Sequence, residues 1–168
     1  MDAARAETAA AENPVGARVS ALTAIMDQMA DVLRTAYSGL DVDVQVEPRL
    51  VINPSPPCID IYPADTPRGT ETAGFNASGV DGELFFTVRA RVGTADNTAG
   101  QDLLLAMMDD EDDLCVAVPL VEDPTLGGLA LDTFVQPGSG FGLYTLPDGN
   151  SLLGVQFLVT VVNNPDNT

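Results

Sequence analysis

The run Leu152 to Val162 constrains this chain more than any other segment. Leu153, Val155, Phe157, Val159 and Val161 recur at every second position and form one wholly apolar face. Such a strand is stable only inside a sheet, with that face buried against a core. The segment Glu83 to Val92 makes a second long strand. Leu84, Phe86, Val88, Ala90 and Val92 take one face, and Glu83, Phe85, Thr87, Arg89 and Arg91 take the other. A face with two arginines and an aromatic ring is more than solvent cover. The guanidinium forks can meet carboxylates on a neighbouring surface, or they can pair with the domain's own acids.

Helical signals flank these strands. Asn13-Pro14 predicts a helix start, with Asn as the N-cap and Pro at the first helical position. Val19, Leu22, Ile25, Met26, Met29, Val32, Leu33 and Ala36 then repeat at three- and four-residue steps up to Ser38-Gly39. Thr98-Ala99-Gly100-Gln101 fits a capping box for a second helix that buries Leu103, Leu104, Met107 and Met108. Val42, Val44 and Val46 alternate with polar residues as a strand, and Leu50 to Ile52 resumes it after Pro48. Cys58 to Tyr62, Cys115 to Val121 and Leu129 to Val135 also read as strands. Gly138 to Gly142 reads as a flexible turn and Leu146-Pro147-Asp148-Gly149 as a tight one.

The expected architecture is a single α+β domain, a mixed or antiparallel sheet packed against two helices. Residues 1–12 form an N-terminal tail, 13–163 the domain and 164–168 a C-terminal tail. Within the domain, 64–82 is a long Gly- and Thr-rich loop, read first as an arm that orders on a partner and next as a disordered insertion.

Charge decides which partners are plausible. The formal net charge is −18, and from Val92 to Thr168 there are twelve carboxylates with no Lys, Arg or His. A surface of that kind repels a phosphate backbone, because binding a polyanion requires cations that displace its counterions. The absence of His from all 168 residues removes the commonest general base and metal ligand. Ser139, in the Gly-rich stretch, therefore has no His partner, and the stretch lacks the Lys of a phosphate-binding loop. Cys58 and Cys115 are widely spaced and read as two free, buried thiols. Asp109, Asp110, Glu111, Asp112 and Asp113 form a run without the alternating ligands and fixed Gly of a calcium loop. It reads as a solvated turn at a helix end. No cofactor, metal site or catalytic residue is expected, and nothing approaches the ~18 apolar residues of a membrane span.

The order of elements is a helix, strands split by a long loop, the Gly82–Val92 strand, a capped helix at Thr98 to Met108, and strands closing on Gly154–Val162. Over about residues 15 to 163, this order resembles the tail terminator and tail-completion proteins of long-tailed bacteriophages. The resemblance rests on the pattern of elements rather than on diagnostic residues. The length of the 64–82 loop and the cluster Pro54, Pro56 and Pro57 depart from it.

The resemblance implies a non-enzymatic virion protein, assembled in the bacterial host cytoplasm. It would form a homo-oligomeric ring, commonly hexameric, at the head-proximal end of the tail. Its partners would be the tail tube protein and a head–tail connector or stopper. DNA would pass through without sequence-specific binding, and an acidic lumen would keep the genome from sticking. Phe85, Arg89 and Arg91 are then candidates for subunit or tube contacts, with Arg68 and Phe75 on the arm. Asp109 to Asp113 are candidates for lumen or rim charge. Rival readings are another neck component or tail tube protein, a secreted calcium-binding β-rich module with Cys58 bonded to Cys115, and an acid-dependent metal hydrolase.

Overall fold

The computed structural model describes residues 14–64 and 82–164, with side chains from residue 21 onward. The two expected tails, Asn13, and Arg68 and Phe75 of the 64–82 loop lie outside the described residues.

The fold is α+β. Helix α1 spans Pro14–Tyr37, and strands β1 (Gln45–Glu47), β2 (Cys58–Pro63) and β3 (Glu83–Val92) follow it. Helices α2 (Asn97–Ala106) and α3 (Ala117–Glu122) come next, and a 3-10 turn at Leu126–Gly128 leads into β4 (Ala130–Val135). Strands β5 (Ser139–Thr145) and β6 (Ser151–Asn163) complete the chain. The sheet order is β1-β2-β3-β6-β4, with β5 also on β6. Among the described residues only the β1–β2 pair is parallel, so the sheet is mixed.

β6 occupies the central position that its apolar alternation demands. One side pairs with β3 along ten positions, from Glu83↔Val162 to Val92↔Leu153. The other side is shared: β4 takes the C-terminal half of β6 and β5 takes the N-terminal half. Residues 130–145 thus form one interrupted arm of a long hairpin. Its turn is closed by Gly149 N–H donating to Leu146 O at 3.0 Å. Gly149, at φ +85°, supplies the left-handed residue that such a turn favours.

The core lies between one sheet face and the helices. Val155, Phe157, Val159 and Val161 of β6 join Phe86, Val88 and Ala90 of β3 and Ile59 and Ile61 of β2. They pack with Ile25, Met29 and Leu33 of α1, Leu104 of α2 and Leu120 of α3. Burying each large apolar side chain contributes about 1.5–3 kcal/mol, so this layer dominates the stability. Helix α1 ends on Gly39, whose φ of +91° is the usual left-handed stop.

Several local expectations are corrected. Cys115 to Val121 does not form a strand; its C-terminal part is α3. Pro119 sits in the first turn of α3, where its missing N–H costs nothing, and Val116 and Leu120 are both buried at helical spacing. Gly138 to Gly142 is not a free turn but the start of β5, where a register shift between Ser139 and Gly142 places Gly140 at φ +65°. The α2 N-cap is Asp96, whose carboxylate accepts from Ala99 N–H at 3.0 Å, rather than Thr98. The strand expected over Val42 to Val46 shrinks to Gln45–Glu47, and Leu50 to Ile52 is irregular.

Candidate functional site

The sheet face opposite the helices holds an unusual constellation. Strand alternation places Asp60 and Tyr62 of β2, Arg89 and Arg91 of β3, and Gly154 and Gln156 of β6 on this one face. Asp60 lies directly opposite Arg89 in the β2–β3 ladder, and Arg91 lies two residues along. Arg89 donates from Nε to Asp60 Oδ1 at 3.0 Å and from Nη2 to Oδ2 at 2.7 Å, a two-pronged pair. Arg91 Nη2 donates to Asp60 Oδ2 at 3.0 Å and to Val51 O at 2.9 Å. Val51 N–H in turn donates to Asp60 Oδ2 at 2.9 Å.

One buried carboxylate therefore ties together β2, β3 and the crossover that leaves β1. Asp60 is fully buried, and the side chains of Arg91 and Arg89 are only 2% and 14% exposed. A charge held this far from water needs such pairing, since an unpaired buried ion costs several kcal/mol. Arg91 Nε has no hydrogen-bond partner among the described residues. Burial works against the charge on Arg89, but the hydrogen bonds and negative charge of Asp60 outweigh it and raise the pKa.

Aromatic rings extend the cluster to β5. The Arg89 guanidinium lies 5.2 Å from the Tyr62 ring centroid and 5.9 Å from that of Tyr144. Gly154 makes the second contact possible: a Cβ there would lie 2.8 Å from Tyr144 Cδ2 and 2.9 Å from Ala90 O. Tyr144 donates its hydroxyl to Gly140 O at 3.0 Å, and Gln156 Nε2 donates to the Tyr62 hydroxyl at 3.4 Å. Burial raises the pKa of both tyrosines, so both keep their hydroxyl protons near neutrality.

This arrangement positions chain segments and offers little chemistry. The Asp60 carboxylate accepts four hydrogen bonds and has no solvent access, so it is poorly placed as a base. The Cys58 thiol is buried; desolvation raises its pKa to about 11 despite the opposing charge of Arg91. It stays a thiol near neutrality, which is the inert form. Cys115 is also buried, and the two cysteines are not bonded to each other.

Of the residues singled out from sequence, Arg89 and Arg91 thus converge on one intramolecular acid, and Phe85 is 5% exposed on the same face. The Arg89 and Arg91 side chains are largely spent on contacts within the chain. Asp60, Tyr62 and Tyr144 were not singled out. An isolated Asp between Ile59 and Ile61 was the available signal, because an acid inside an apolar strand requires a cation on the neighbouring strand.

Asp109 to Asp113 stand well apart from this cluster in sequence, in exposed turns between α2 and α3. Asp109 Oδ1 accepts from Glu111 N–H and Asp112 Oδ1 from Leu114 N–H. The turn is anchored by Tyr37, whose hydroxyl donates to Leu114 O at 3.1 Å. Among the described residues, no group of three or more acids or thiols is arranged to hold a metal ion. The four ion pairs there use only Asp27, Asp31 and Asp60 as acids. Every carboxylate from Val92 to residue 164 is therefore without a salt bridge among the described residues.

No described helix is long and apolar enough to cross a membrane. Neither the known protein families nor the curated proteins include a match to this sequence.

Proposed function

We propose that this chain is a structural, ring-forming subunit of a long phage tail. It caps the tail tube at the head-proximal end and joins it to the connector, while DNA passes through the ring. The observation that carries this reading is the uncompensated acidity after Val92. Arg34, Arg49, Arg89 and Arg91 engage acids that all precede Val92, which leaves Asp109 to Asp113 exposed and without an ion pair among the described residues. A surface like this is suited to a channel wall that DNA must slide past, because like charge prevents adhesion.

The α+β fold with its mixed sheet is consistent with the resemblance, and the buried Asp60 cluster gives a role without catalysis. In this reading Arg89 and Arg91 hold the subunit's shape, while Asp109 to Asp113 supply lumen or rim charge. The protein resides in the virion and acts by geometry and charge.

The test is reconstitution of the purified chain with tail tubes, alongside electron microscopy of particles made without it. Rings on tube ends and overlong tails in its absence are expected. Tails of normal length that fail to join heads would move the protein to the stopper position. A chain that never associates with tubes would overturn the proposal.

A further inference from the structure

The Asp60 cluster is not neutral. It sets two guanidinium groups, Arg89 and Arg91, against one carboxylate, and among the described residues no other acid forms an ion pair with either. Arg34 and Arg49, by contrast, are matched one to one with Asp31 and Asp27. One positive charge is therefore left over on the sheet face opposite the helices.

Arg89 has an edge to spare for it. Asp60 takes Nε and Nη2, one side of the planar fork. Among the described residues, Arg91 Nε is the only buried side-chain nitrogen or oxygen left without a partner. Arg89 Nη1 also donates to none of them, so it reaches solvent, in keeping with the 14% exposure of its side chain. The Nη1–Nη2 edge is thus open to a second planar acceptor.

Its surroundings suit an anion. The Tyr62 and Tyr144 rings, 5.2 and 5.9 Å from the guanidinium, frame it and restrain its plane. The Tyr62 hydroxyl accepts from Gln156 Nε2, which leaves its own hydrogen to donate, and no described residue takes that hydrogen. Burial keeps it in place near neutrality. Tyr62 thus brings a further donor to the same sheet face, whereas Tyr144 has given its hydrogen to Gly140 O.

We infer that the outer edge of Arg89, framed by Tyr62 and Tyr144, is a receptor for one carboxylate from outside the chain. A single carboxylate supplies the missing negative charge and meets the fork in two parallel hydrogen bonds. Duplex DNA is kept from the same spot by the net charge of −18, which repels a polyanion far more strongly than a lone carboxylate. The site stands independently of the ring reading. Its carboxylate belongs either to a small molecule or to an exposed acid of a second copy.

The experiment is nitrogen-15 NMR of the full chain, following the guanidinium signals as sodium acetate replaces sodium chloride at constant ionic strength. Arg89 should shift and saturate, while Arg34 and Arg49, although 45% and 49% exposed, should move little. Tyr62→Phe keeps the ring and removes only the hydroxyl. It should weaken acetate binding about three- to tenfold and leave the circular dichroism unchanged. A dilution series without acetate identifies the source. An Arg89 shift that grows with protein concentration, and that acetate reverses, assigns the carboxylate to a second copy. Saturation by acetate with no dependence on protein concentration assigns it to a small molecule. Equal shifts at Arg34, Arg49 and Arg89 mean general screening and overturn the site. An Arg89 signal that acetate leaves where chloride had it also overturns the site, and inorganic phosphate binding as tightly as acetate overturns the carboxylate assignment.

Discussion

Asp60 and Arg89 face each other across the β2–β3 ladder and are joined by two parallel hydrogen bonds of 3.0 and 2.7 Å. The partnership is asymmetric. Asp60 also serves Arg91 and Val51 N–H, whereas both side-chain hydrogen bonds of Arg89 go to Asp60. Removing the acid therefore strands more charge than removing either arginine.

Asp60→Ala should lower the unfolding free energy by about 3–5 kcal/mol, since it leaves two guanidinium groups buried without their counter-ion. Arg89→Met should cost less, because Asp60 keeps Arg91 and the Val51 amide. Urea denaturation of the two variants checks the order. Equal losses would mean that the carboxylate is not the hub.

Gly154→Ala should destabilise by about 1–3 kcal/mol through overpacking, as the new methyl meets both the Tyr144 ring and the Ala90 carbonyl. The Ala90 contact is backbone and cannot swing aside. The same change should displace Tyr144 from Arg89, visible as an altered near-ultraviolet tyrosine signal.

Stability should fall in alkali. The folded Cys58 thiol keeps its proton up to about pH 11, against 9.0 for the free group. Between those values the folded chain binds more protons than the unfolded one. The contribution is complete below pH 9 and is lost as pH rises towards 11, on the order of 2–3 kcal/mol. Burial raises the pKa of Tyr37 too, which adds a loss of the same sign at higher pH. Denaturation midpoints from pH 8 to 11 should decline for the wild type and decline less for Cys58→Ala.

Replacing Asp109, Asp110, Glu111, Asp112 and Asp113 with their amides should change stability by no more than about 1 kcal/mol, because all five are exposed and Asn can still accept the turn hydrogen bonds. Changing the same five to Lys instead, which supplies the cations that polyanion binding needs, should raise retention of duplex DNA at low salt relative to the wild type, as filter binding would show. Unchanged retention would remove this turn from the candidate channel wall.

Legibility in the sequence followed the range of the forces involved. β3 and β6 were readable because alternation at every second residue is local, and α1 was readable because its apolar positions recur over many turns. α3 was not, since Val116, Val118 and Val121 carry β propensity and only tertiary packing of Val116 and Leu120 selects the helix. The opening of β5 was hidden because glycines serve turns and bulged strands alike, and only pairing with β6 separates the two. The arginine pair was legible as a pair needing acids. Naming Asp60 as the acid required the β2–β3 register, which no local pattern contains.

Among the described residues, the 13 of β6 are the sole ladder between two halves of the sheet, with β1, β2 and β3 on one flank and β4 and β5 on the other. Opening that strand locally would detach the halves, so it has no inexpensive partial route to solvent. Its amide protons should exchange only through whole-domain unfolding, and their protection should report the global free energy.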